Sequence, residues 1–130
     1  MEKKYLKHDK GAAMRIFSGI MCTVMVAFTV VQFNDPDAFH WIAIYAVAAI
    51  WCGFAAYRPA LLGGGGQRLL ILTLVLGAIG TVWYFPKTTG FWHTEVWWVT
   101  ETAREGMGMM IAFAALVIAW ITVRRYALEA

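Results

Sequence analysis

Groups able to do chemistry are concentrated in two short stretches of this chain. The first reads Gln32-Phe33-Asn34-Asp35-Pro36-Asp37 and reaches His40 within one further helical turn. The second gathers His93, Glu95, Glu101, Arg104 and Glu105. Amide and carboxylate oxygens at this density suit a hard cation such as Ca²⁺ or Mg²⁺. Adding His40 and His93 extends the choice to Zn²⁺ or another transition metal. The spacing matches neither an EF-hand loop nor an HExxH helix. Glu101 and Glu105 stand one helical turn apart, an arrangement that general acid–base chemistry uses. No nucleophile or substrate is named by any neighbouring residue. Asn34, Asp35, Asp37, His40, Glu101 and Glu105 are therefore the primary candidates, with Gln32, His93, Glu95 and Arg104 as secondary ones. The bland account of the first stretch is that Asp35 caps a helix, Pro36 opens it and Asp37 complements its dipole.

The elements that position these residues follow from composition. The 130-residue chain is 61% hydrophobic with a mean hydropathy of +0.61. Soluble domains hold roughly 45–50% apolar residues. Four apolar runs, at about 14–33, 39–57, 69–85 and 107–123, each reach the length of about 17 residues needed to cross a bilayer. In hydrocarbon only helices and closed barrels satisfy the backbone. The runs are continuous rather than alternating, so helices are expected. The predicted fold is all-α: one transmembrane domain over 1–130, a four-helix bundle with an outer interfacial helical segment near 92–105.

Charge sets the threading. Lys3, Lys4, Lys7, Lys10, Arg15, Arg58, Arg68, Arg124 and Arg125 flank one set of span ends, while Lys87 and Arg104 flank the other. That asymmetry predicts cytoplasmic termini, with the polar cluster on the non-cytoplasmic side of a plasma or bacterial inner membrane. Carboxylates so near hydrocarbon are costly unless paired, hydrated or metal-bound, which makes them functional candidates. The first span follows lysines, yet it is longer than a signal core and no small-residue cleavage site follows it, so an uncleaved helix is expected. Residues 1–10 read as a short charged tail on the inner leaflet. The net charge of +3 sits beside spans, which points to lipid headgroups rather than nucleic acid.

Other motifs read as structural. Cys22 and Cys52 lie at similar depths in the first two spans, where a disulfide is conceivable and apolar packing is the simpler role. Arg58-Pro59 and Gly63–Gly66 read as a flexible linker. Gln67-Arg68 follows the glycines, and no Lys-Ser/Thr ending makes them a phosphate loop. Ala46, Ala49, Gly53 and Ala56, then Gly77 and Gly80, then Ala112, Ala115 and Ala119 form small-residue faces that let spanning helices approach closely. Homo-oligomer contacts or another membrane subunit use the same kind of face.

Gln32-Phe33-Asn34-Asp35-Pro36-Asp37, followed by Trp41 and Tyr45, resembles the signature ending the first helix in transmembrane protein family 220. Glu101 with Arg104-Glu105-Gly106 resembles that family's second motif. The resemblance implies a four-helix layout with both motifs on the outer face, and it implies no reaction. The leading expectation is a non-enzymatic membrane protein whose outer cluster binds a divalent cation or docks a partner, as an accessory subunit of a membrane complex. The alternative is a small enzyme acting on an outer-leaflet lipid, which predicts an apolar groove opening sideways from the cluster. A transporter ranks last, because no span centre carries an ionisable residue.

Overall fold

The computed structural model describes residues 2–34, 38–84 and 101–129. Its long helices are α1 (Glu2–Val31), α2 (Ala38–Tyr57), α3 (Gly65–Tyr84) and α4 (Glu101–Glu129). Each contains a stretch long and apolar enough to cross a membrane. Among the described residues there is no strand. Arg15 of α1, Ala56 of α2 and Thr122 of α4 lie at one end of the bundle, the basic end. Trp41, Tyr84 and Gly108 lie at the other, the loop end.

Two boundaries differ from the sequence reading. The charged segment continues α1 instead of forming a separate tail, since its Glu, Lys and Leu residues favour helix. The glycine run is not a loose linker. Pro59–Leu62 form a 3₁₀ turn with proline at its first position, and Leu62 enters the core. Gly64 takes φ +59°, a left-handed conformation open to glycine at little cost. α3 then starts at Gly65, earlier than hydropathy alone suggested.

The helices are not equivalent. α4 packs on all three others, α2 packs on α1 and α4, and α3 rests chiefly on α4. Accordingly 39% and 50% of the spanning windows of α2 and α4 are buried, against 11% in each of α1 and α3. The core seam is built from small side chains, as the spacing predicted: Ala49 and Ala56 of α2 and Ala112, Ala115 and Ala119 of α4 are all buried. Without a hydrophobic drive between helices, close backbone approach supplies dispersion and polar side chains supply direction. Cys22 and Cys52 are free thiols, and the Cys52 thiol donates to the Ala115 carbonyl across the seam at 3.2 Å. Ser18 and Thr122 meet at 2.6 Å, both fully buried. Thr122 donates its proton to Ile118 O at 2.7 Å, so the Ser18 hydroxyl donates to Thr122 Oγ1.

Candidate functional site

The loop end is organised by an aromatic cluster. Trp41 and Tyr45 stand one turn apart on α2, and their rings stack with centroids 5.8 Å apart. Phe28 of α1 meets Tyr45 edge-on at 5.4 Å, and Tyr84 of α3 meets Trp41 at 5.2 Å. Such pairs contribute about 0.5–1.5 kcal/mol each beyond the area they bury. Tyr45 also presses its hydroxyl against Gly108 of α4, a position with no room for a Cβ. Trp41 is 3% exposed, yet its indole Nε1–H has no hydrogen-bond partner among the described residues. A buried donor left in that state costs roughly 1–3 kcal/mol.

Around this cluster the sequence-nominated residues are placed as follows. Gln32 is half-buried and Asn34 exposed, both in a 3₁₀ turn that extends α1. His40 is exposed in the first turn of α2, its ring 5.0 Å from Trp41. Glu105 is half-buried on α4, within electrostatic reach of the Tyr45 hydroxyl, and Arg104 is exposed. Glu101 opens α4, so Glu101 and Glu105 do lie one turn apart on a continuous helix. The side chain of Glu101 lies outside the described residues. So do Asp35, Asp37, His93 and Glu95, and with them the helix cap at Asp35 and most of the expected interfacial segment. Among the described residues no three His, Cys, Asp or Glu side chains gather closely enough to hold a metal ion. A cation centre is therefore not assembled from His40 and Glu105 by themselves.

What the structure does bring together is a groove. α2 and α3 diverge below the Trp41–Tyr84 contact, and α4 forms the floor between them. Ala43 and Val47 line one wall; Thr73, Gly77, Gly80 and Tyr84 line the other; Met109 and Leu116 lie beneath. The Thr73 hydroxyl is turned back onto Leu69 O at 2.8 Å, leaving Tyr84 as the polar group at the outer end. The cavity measures about 330 Å³. At 1.5 Å per residue, Thr73 to Tyr84 spans about 16 Å, half of the roughly 30 Å hydrocarbon core. The groove is open along one side rather than enclosed. Gly77 and Gly80, named from the sequence as a packing patch, serve as one: a Cβ at Gly77 would meet Phe113 and Leu116 of α4 at 3.1 and 3.3 Å, and one at Gly80 would meet Met109 at 2.8 Å.

Four apolar spanning helices packed through a small-residue seam define a polytopic integral membrane protein, in contact with bilayer lipid along α1 and α3. Residues 24–121 match the model of the family described as "Transmembrane family 220, helix". The chain belongs to that family, as the Asn34–Asp37 and Glu101–Gly106 motifs suggested. It is 30% identical over 110 residues to "Transmembrane protein 220" of Xenopus laevis, across 80% of this chain and 56% of that protein. The chain thus spans just over half the length of that relative. No solved structure matches it significantly.

Proposed function

We propose that the protein is a small, non-enzymatic membrane protein that seats one lipid chain in the α2–α3 groove. The polar residues of the loop end meet the lipid's head, directly or through a divalent cation. The groove carries this reading: it is apolar, opens sideways to the bilayer and runs about the depth of one leaflet. Tyr84, which lines the outer end of the groove beside buried Trp41, is a polar group suited to a lipid ester carbonyl. Asn34, Asp35, Asp37, His40, Glu101 and Glu105 form the proposed head-end set, with Gln32, His93, Glu95 and Arg104 around them. Lipid phosphates and these carboxylates repel one another, so Ca²⁺ or Mg²⁺, or Zn²⁺ where the histidines join, is the bridging species. The Lys/Arg asymmetry orients the basic end to the cytoplasm and this site to the outer leaflet of a plasma or bacterial inner membrane. Phe39, 93% exposed beside His40, offers a docking contact for a larger complex in which this chain is an accessory subunit.

The test is lipid analysis of the full chain purified in mild detergent. Wild type carries about one tightly held lipid, and Ala43→Phe, which fills the groove from its lip, loses it while keeping its helicity. An unchanged lipid content in Ala43→Phe would sink the groove. Metal analysis of wild type beside Asp37→Ala and Glu105→Ala tests the cation: stoichiometric metal in wild type, reduced in the variants, supports it, and none in any sample ends it. The groove equally favours a second reading, an enzyme acting on the seated lipid with carboxylates and His40 or His93 as acid and base. Chemical change of the bound lipid on prolonged incubation, lost in Glu105→Ala, decides for it.

A further inference from the structure

A second groove lies at the opposite end, between α1 and α2, and its chemistry differs. It measures about 540 Å³ and runs along α1 from Ala12 to Thr23. That is about 16 Å, again close to the depth of one leaflet. Ile16 and Ile20 are exposed along it, and Ala56 and Tyr57 close the far wall. The Thr23 hydroxyl is turned back onto Gly19 O at 3.2 Å, so the deep part offers hydrocarbon only.

The mouth is charged. Arg15, half-buried, donates its Nε–H to Ala56 O at 2.9 Å. Ala56 lies in the last turn of α2, whose terminal carbonyls lack partners within the helix. This bond fixes the guanidinium plane at the groove entrance. A guanidinium has five N–H donors, and the four on Nη1 and Nη2 make no other hydrogen bond among the described residues. Arg58 stands exposed immediately after Tyr57, and Arg68, Arg124 and Arg125 occupy the same end. Arg124 is engaged by the Trp120 ring, 5.5 Å from its centroid. The one acid whose side chain is described, Glu105, belongs to the loop end. A fixed fork of donors above an apolar slot, at the end that also carries Arg58, Arg68, Arg124 and Arg125, complements a phosphate with a hydrocarbon tail.

We infer that this groove is a binding site for an anionic phospholipid, its phosphate held by Arg15 and one acyl chain lying along Ile16 and Ile20. It is separate from the α2–α3 groove in position, leaflet and chemistry, and the two stand or fall independently. The charge selects the lipid class. Losing one cation from a membrane surface changes the binding of an anionic lipid about five-fold.

The experiment is native mass spectrometry of the full chain in mild detergent, titrated with phosphatidylglycerol or phosphatidylcholine of identical chains. Wild type should retain phosphatidylglycerol about five-fold better than phosphatidylcholine. Arg15→Gln should bring the two to near parity, and Arg15→Lys should keep most of the preference. Arg58→Gln and Arg68→Gln should leave it nearly intact. Ile20→Trp, which fills the slot without touching the charge, should lower retention of both lipids. If Arg15→Gln fails to fold, Arg15→Lys and Ile20→Trp decide. Equal retention by wild type overturns the site. So does loss of preference in Arg58→Gln equal to that in Arg15→Gln, which indicates diffuse charge. Undiminished retention in Ile20→Trp, or displacement of the lipid by inorganic phosphate, also overturns it.

Discussion

The contact between Tyr45 and Gly108 makes the most exacting prediction about how this bundle is held. A Cβ added at Gly108 overlaps the Tyr45 hydroxyl, with Cζ 3.2 Å and Cε1 3.7 Å away. Tyr45 cannot swing aside freely, because Trp41 stacks on it and Phe28 meets its edge. Gly108→Ala therefore forces a backbone shift, and overpacking of this kind costs about 1–3 kcal/mol. The substitution also gains up to about 1 kcal/mol of helix propensity, so the net loss should be about 1–2 kcal/mol. Tyr45→Phe removes the overlapping oxygen and leaves the ring near ordinary contact distance, which a shift of a few tenths of an ångström relieves. In that background Gly108→Ala should change stability by less than about 0.5 kcal/mol, or stabilise. The double-mutant cycle should thus show coupling of about 1–2 kcal/mol. Unfolding by sodium dodecyl sulfate in mixed micelles, followed by far-ultraviolet circular dichroism, gives the four stabilities. Equal costs of Gly108→Ala in the two backgrounds would refute the packing argument.

Two further predictions use the same assay. Ser18→Ala removes the donor to Thr122 but leaves Thr122 bonded within its own helix. It should cost about 0.6 kcal/mol and no more than about 1.7 kcal/mol, the span measured for hydrogen bonds between membrane helices; a larger loss would mean Ser18 does something else. Leu62→Ala, in the short turn before α3, should cost about 2–5 kcal/mol, as a buried core leucine does. A loss within about 0.5 kcal/mol, the range of ordinary surface substitutions, would restore the view of that segment as a linker.

The four spans were legible because the cost of bare backbone in hydrocarbon writes itself into long apolar runs. The small-residue seam was legible for a related reason: Ala112, Ala115 and Ala119 recur at helical spacing, and only small side chains permit close approach. Which helix would be peripheral was not. In a membrane the lipid-facing side is as apolar as the buried side, so exposed Leu69 and Ile79 of α3 look no different from buried Leu70. The groove was hidden for the same reason, since Ala43 and Val47, which line it, are no different in type from residues that face a neighbouring helix. The start of α3 was misplaced because glycines were read as breakers, whereas Gly65 and Gly66 stand in the first helical turn, whose N–H groups lack partners within the helix. Of the nominated polar residues, Gln32, Asn34, His40, Arg104 and Glu105 have described positions near the loop end. Their types and spacing carried no information about how they converge, because loop geometry sets that.

The dependence of α3 on α4 has a consequence for how the protein is made. A chain grows from its N-terminus at about 5–20 residues per second, so α1 and α2 can pair while the rest is still being synthesised. α3 follows, but its principal partner, α4, has yet to emerge, with residues 85–129 still to be added. For about 2–9 seconds α3 is surrounded largely by lipid. Any chaperone or insertion factor that attends this protein has that interval in which to act. A chain released before α4 is complete leaves a paired hairpin and a stranded third helix, a species that membrane quality control can tell from the finished bundle.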